Sequence, residues 1–144
     1  MALDATRVIN GTFGEVWHDG TWLTNAKSVE AVVEINKEEI QVSGARWVGH
    51  KTTSLTGTGS ITMYKVTSDF IQLIGAIAED GGSPYVTELI LKLADPEAFG
   101  CERIRLKAVQ FDSIPLGTFE VGTIVEEELP FTFCGYELLN AIQA

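Results

Sequence analysis

Apolar residues recur at every second position along much of this chain, and one stretch takes a helical period instead. Successive side chains of a β-strand point to opposite faces, so the pattern commits the chain to strands with one buried face. In the segment 29–35, Ala31, Val33 and Ile35 share one face, and Glu30, Val32 and Glu34 share the other. Ile40-Gln41-Val42 is expected to continue that sheet beyond a short turn, and Ile61 to Val66 to return as a strand. Leu89, Leu91 and Leu93 alternate with Glu88, Ile90 and Lys92. Ile104, Leu106 and Ala108 alternate with Arg103, Arg105 and Lys107. Val125, Leu129, Phe131 and Phe133 share a parity that excludes Glu126 and Glu128. If the Arg-bearing and Glu-bearing strands pair antiparallel, each opposite-charge pair contributes about 0.2–1 kcal/mol. The same charges can instead meet across subunits. Near the start, Asp19-Gly20 sits between Val16-Trp17 and Thr21-Trp22, which is the signature of a two-residue hairpin turn.

The departure lies at Phe70, Leu73, Ile74 and Ile77, whose spacing is that of one helix face, widened by Ile71 and Ala78. Ser68 suits the N-cap, Asp69 the first turn and Gly81-Gly82 the stop. Gln72 and Glu79 leave only a narrow polar face, so the helix should be covered by sheet or by a partner. Residues 43–60 form neither pattern clearly. Trp47 and Val48 lead into Lys51, Thr52, Thr53, Ser54, Leu55, Thr56, Gly57 and Thr58, among which Leu55 is the one large apolar side chain. This reads as a long hairpin tip or a mobile arm. It is either a floppy surface loop or a segment that orders against a neighbouring subunit.

The chain's 144 residues fit one domain, 1–144, which needs no disulfide or metal to fold. A net charge of −10 argues against binding to nucleic acid or anionic lipid, because both rely on Lys and Arg. Cys101 and Cys134 match no zinc spacing and are expected to be reduced, mostly buried thiols. Met1 to Arg7 lacks the apolar core of a signal peptide, and no apolar run approaches the roughly 20 residues of a membrane span, so no membrane anchor is expected. The histidines, His18 beside the hairpin turn and His50 beside the arm, stand in no metal-ligand pattern, and His18 is expected to be solvated. Gly57-Thr58-Gly59-Ser60 lacks the Lys and helix of a phosphate loop. Alternation splits Glu126-Glu127-Glu128 between two faces. Trp17, Trp22 and Trp47 read as core or interface packing. No catalytic residue, metal or cofactor is expected.

Several segments resemble XkdM-like phage tail tube proteins. They are Arg7 to Trp17 with Asp19-Gly20, Val33-Glu34 with Asn36 to Glu39, and Gly57 to Ser60 running into Met63 to Val66. Lys92 to Pro96 with Gly100 and Glu102-Arg103 follow, then Pro130 to Phe133 with Tyr136-Glu137. The matches keep their order from end to end. The chain departs at Ser68-Asp69, where the family usually has Ser-Arg, and at Cys134-Gly135, where it usually has Thr-Asp.

The resemblance implies two packed antiparallel sheets, a sandwich or partial barrel, with one flanking helix and a long extended hairpin arm. Six subunits would close a ring, and rings would stack into a hollow tube. Such a tube is assembled in the bacterial cytoplasm, inside a contractile sheath, between a baseplate or initiator and a tail terminator. It becomes part of a virion tail or of a bacteriocin particle. DNA would pass through the lumen without specific contacts if the particle is a phage. The segment 51–58 would contact the adjacent subunit, and Glu30 and Glu34 would line the lumen. An inner-tube protein like that of type VI secretion is the nearest alternative. A monomeric ligand-binding β-barrel built on the tryptophans is another, and a hydrolase using the Glu126 to Glu128 run is a third.

Overall fold

A computed structural model describes residues 2–143. The chain is mainly β, with eight strands: β1 (Gly14–His18), β2 (Thr21–Trp22), β3 (Ala26–Gln41), β4 (Val48–Tyr64), β5 (Val86–Leu93), β6 (Glu102–Phe111), β7 (Glu126–Phe133) and β8 (Gly135–Asn140). They form one antiparallel hydrogen-bonded network in the order β2-β1-β5-β6-β7-β4-β3, with β8 also on β6. Of the expected sandwich or partial barrel, hydrogen bonding joins all the strands into one sheet. It curls into a partial barrel, because β1 and β3, far apart in the strand order, pack on the same core. Phe131, Ile61, Met63, Leu89, Leu129 and Val109 are its fully buried side chains, each worth about 1.5–3 kcal/mol in area removed from water.

The Asp19-Gly20 turn forms as expected. Both residues take positive φ (48° and 79°), the type I′ geometry whose twist matches the flanking strands. Trp17 and His18 then lie opposite Trp22 and Thr21. The expected break before Ile40 does not occur. β3 runs unbroken from Ala26 to Gln41 and absorbs the irregularity as a bulge at Asn36/Lys37.

Another bulge corrects the reading of β6. The register with β5 slips between Thr87 and Leu89, and Ala108 takes a φ of 53°. One extra residue flips the parity, so Leu106 and Val109 are buried rather than Leu106 and Ala108. The charge pairing is also different. β6 meets β7 only at Gln110 and Phe111. Arg105 instead reaches Glu88 on β5 (3.0 Å) and Glu137 on β8 (3.8 Å), while Glu126 takes Lys27 at 2.9 Å.

Helix α1 (Asp69–Gly75) tightens into a 3-10 turn at Ala76–Ala78, and the chain turns at Gly81-Gly82. Ser68 takes the N-cap position and Asp69 the first turn as expected, although the Ser68 side chain makes no capping hydrogen bond. Phe70 and Ile74 insert into the core, whereas Leu73 and Ile77 remain exposed. The sheet thus covers one side of the helix only.

Two of the family-like segments meet in space. Asp95, buried, accepts from the backbone N–H of Asn10 and of Glu97, each at 2.9 Å. Arg7 donates to the Glu97 carbonyl at 2.8 Å and lies over the Phe99 ring at 4.9 Å. These contacts tie the N-terminal segment to the β5–β6 loop.

Candidate assembly interface

The hairpin of β3 and β4 is the longest feature of the fold. Its inner half is part of the curled sheet, since β4 pairs with β7 from Gly57 to Tyr64. Beyond Gly57 the two strands pair only with each other, and the partner of β7's continuation, β8, is β6. The sheet therefore forks. Ile35, Ile40, Val42, Trp47, Val48 and Leu55 are exposed along the outer half, with Trp47 89% exposed. Of the segment 51–58, all but Gly57 are exposed, and all lie in β4 rather than in a loop. Of the two readings of this segment, a long hairpin or a mobile arm, the structure takes the hairpin.

Gly57 and Gly59 are not hinge residues. A Cβ at Gly57 would lie 2.6 Å from the Phe133 ring, and one at Gly59 would lie 2.3 Å from the Glu30 carbonyl and 2.6 Å from Phe131. The two aromatic rings lie directly on the glycine backbone. Glycine in a strand marks such close approach, and the register sets Gly57-Thr58-Gly59 against Phe131-Thr132-Phe133.

Glu30 and Glu34 lie on the opposite face of β3, exposed, with Val32 between them. Directly opposite residues in antiparallel strands share a face. The register places Ser60, Thr58 and Thr56 beside Glu30, Val32 and Glu34, Thr132 beside Thr58, and Gln110 beside Thr132. Apart from Val32 this wall is built of carboxylates, hydroxyls and an amide, with no Lys or Arg among these residues.

A second exposed apolar zone has no counterpart in the sequence patterns. Residues 112–125 form an irregular loop between β6 and β7, in which Leu116, Phe119, Val121 and Ile124 are exposed, Val121 to 95%. It covers a cleft lined by Lys65 and by Glu126, Glu127 and Glu128. Glu127, buried, forms an ion pair with Lys65 there, while Glu128 faces outward as the alternation required.

The remaining sequence candidates separate. His18 is buried rather than solvated. Its Nε2 lies 3.0 Å from the Tyr85 hydroxyl, and its ring packs on Phe70. Burial lowers its pKa from the ordinary 6.5, partly offset by Asp19. His50 stays exposed on the hairpin. Trp17 stacks on Trp22 at 6.2 Å, and Trp17 Nε1–H donates to Glu15 at 3.1 Å. Trp47 sits apart, at the hairpin turn, so the three do not line one pocket. Cys134 is exposed and Cys101 half-buried, against the expectation of buried thiols, and they are not bonded to each other. No group of three His, Cys, Asp or Glu among the described residues could hold a metal ion. Among the described residues no helix is long and apolar enough to cross a membrane.

The β3–β4 ribbon and the 112–125 loop thus leave apolar side chains exposed in the single chain. Residues 1–140 match the family model described as phage tail tube protein. The XkdM protein of the phage-like element PBSX of Bacillus subtilis (strain 168) is 40% identical over 139 residues, covering 96% of this chain and 95% of that protein. Among solved structures, a chain of the anti-feeding prophage tube-terminating cap matches with a TM-score of 0.77 at 8% identity, covering 98% of this chain and 95% of the other. A chain of the sheath–tube complex of an extracellular contractile injection system in its extended state matches with a TM-score of 0.73 at 8% identity, covering 93% of each. At that identity the likeness is one of fold. The full-length family match and the 40% identical relative settle the assignment: the chain belongs to the phage tail tube protein family.

Proposed function

We propose that this protein is the structural subunit of the inner tube of a contractile tail or tail-like bacteriocin. Six copies close a ring, and rings stack head to tail into a hollow tube. The observation that carries this reading is the outer half of the β3–β4 hairpin. It exposes apolar side chains on a two-stranded ribbon that touches nothing else in its own subunit. An isolated ribbon of that kind is marginal in water, and its free edges are a template for pairing. A neighbouring copy supplies what is missing, and closed symmetry consumes the edges. The segment 51–58 lies on this ribbon and contacts the adjacent subunit.

The wall of Glu30, Glu34 and the Thr/Ser rows supports an acidic lumen. Carboxylates and hydroxyls offer no counterion to a phosphate, so DNA slides without binding. A sheath surrounds the tube, a baseplate or initiator starts it, and a terminator ends it. The subunit carries out no chemical step. It assembles in the bacterial cytoplasm and leaves as part of the particle.

Electron microscopy of the purified protein at rising concentration, alone and within a co-expressed sheath, tests the reading. Hollow rings or tubes of uniform width are expected. Deletion of residues 38–50 should leave a folded subunit that forms neither. A filled sheath built with the deletion variant, or an assembled sheath with no tube of wild-type protein inside it, would overturn it.

A further inference from the structure

One segment rests on the barrel with few ties to it. Between Val66 and Tyr85 every backbone hydrogen bond among the described residues closes within the segment, as from Gln72 N–H to the Ser68 carbonyl and from Gly82 N–H to the Glu79 carbonyl. No strand of the sheet pairs with it. Phe70 and Ile74 are its buried residues, and Ile71, Gly75 and Tyr85 are half-buried. Helix α1 spans seven residues, too short to persist in water without packing.

His18 joins two of these attachments. Its ring centroid lies 5.4 Å from that of Phe70. Its Nε2 lies 3.0 Å from the Tyr85 hydroxyl, the segment's one side-chain hydrogen bond to the barrel among the described residues. Phe70 in turn packs edge-on against Phe111 at 5.6 Å. One imidazole at the end of β1 thus holds the segment near both its ends, at the start of α1 and just before β5.

A neutral ring suits this site and a charged one does not. His18 is 8% exposed, and burial disfavours the charged form. Around it, Tyr85 faces the ring from the residue before β5. Asp19 adjoins it on the turn and favours the proton, a smaller effect than burial. Asp69 adjoins Phe70 on α1 and is exposed. On β5, Leu89 lies opposite His18, and the adjacent Glu88 is taken by Arg105 at 3.0 Å. On β2, Thr21 lies opposite, and β6 brings Phe111 against Phe70; neither titrates.

Proton uptake makes both ring nitrogens donors and sets a charge against Phe70. Turning outward toward Asp19 and water relieves that charge, and the ring then leaves both Phe70 and Tyr85. Burial lowers the pKa of the closed ring from 6.5, whereas an opened ring regains the ordinary value. The closed arrangement is therefore fully favoured above pH 6.5 and weakens as pH falls from 6.5 toward the lowered value.

We propose that His18 is a proton-operated latch: in mild acid its charged ring withdraws from Phe70 and Tyr85 and frees residues 66–85, α1 included, while the sheet stays folded. Local opening of this kind belongs to segments with few buried contacts and no ladder hydrogen bonds. Release uncovers Phe111, on which Phe70 packs. The latch is a property of the single chain and does not rest on the tube reading.

Hydrogen exchange of the full-length protein, read by mass spectrometry and corrected for the intrinsic pH dependence of amide exchange, tests the latch. His50→Gln serves as the background, so that His18 is the one histidine present. Protection of residues 66–85 should fall about tenfold between about pH 7 and about pH 5, while β4 and β7 keep theirs. In His18→Phe, which fills the site with a ring that does not titrate, the protection should stay level across the same range. Titration of the His18 ring by NMR gives a second reading that needs no change at the latch, with a midpoint expected below 6.5. A midpoint at or above 6.5, a level profile for 66–85 in the His18 protein, or a fall shared equally by every strand would overturn the latch. So would the same fall in a folded His18→Phe protein.

Discussion

Two glycines and one histidine show how single residues hold this fold. Gly57 and Gly59 let the Phe133 and Phe131 rings lie on bare backbone, at positions where a Cβ would stand 2.6 Å or less from its nearest neighbour. Gly59→Ala should destabilise the isolated subunit by about 1–3 kcal/mol, the usual cost of overpacking a filled core. Gly57→Ala should fall in the same range. Urea unfolding of the monomer reads both, and a change under about 0.5 kcal/mol, the range of ordinary surface substitutions, would refute the close approach. His18 adds a pH dependence. Burial against Phe70 lowers its folded-state pKa below the 6.5 of the exposed side chain. The unfolded chain therefore binds the proton more readily. The stability held in the neutral ring is complete above pH 6.5 and is lost as pH falls from 6.5 toward the lowered value. Thermal unfolding against pH should show the loss for wild type and a flatter profile for His18→Gln. Parallel profiles would show that the ring does not titrate in this way.

At the scale of the element, a few buried side chains fix the helix and the base of the β3–β4 hairpin. Phe70 and Ile74 anchor α1, whose outer residues Leu73 and Ile77 touch solvent. The Lys65–Glu127 pair closes the base of the hairpin beneath the loop. Removing one member of a buried pair leaves the other charge without compensation, which typically costs about 3–5 kcal/mol, whereas replacing both by apolar groups is often neutral. Lys65 is partly exposed, so solvent screening brings the cost here below that range. Lys65→Met should destabilise the subunit by about 2–3 kcal/mol, and Lys65→Met with Glu127→Leu should recover most of that. Denaturant midpoints of the two variants decide it. A single variant as stable as wild type would mean that water, not Lys65, satisfies Glu127.

At the scale of the whole molecule, charge is sorted by surface. The wall of Glu30 and Glu34 carries no cation among its neighbours in the register, while the hairpin turn carries no anion. Reversing Glu30 and Glu34 to Lys should leave ring and tube formation intact, because neither side chain makes a contact that holds the fold. It should slow the passage of DNA or cations through the assembled tube, as read by conductance or by DNA delivery. Unchanged transport would place these residues on the outer surface.

The strand content, the Asp19-Gly20 turn and the helix at 69–78 were legible because local chemistry dictates them. Period-two alternation, a type I′ turn dipeptide and an i, i+3, i+4, i+7 stripe need no knowledge of distant partners. Tertiary structure decided the rest. The bulge at Ala108 is visible only in the register with β5, and it moves Val109 rather than Ala108 into the core. His18 becomes buried because Phe70 and Tyr85, distant in sequence, close over it. Residues 48–56 become a strand because β3 pairs with them along its length, a hydrogen-bonding fact that leaves no trace in side-chain polarity. The exposed loop at 112–125 carries apolar residues of the kind that usually fill a core, and only the folded chain shows them facing outward. The sequence alone thus determined most of the elements and the resemblance to the family. Which faces are left open for another copy depends on how those elements cover one another, a property of the packed chain and not of any segment in it.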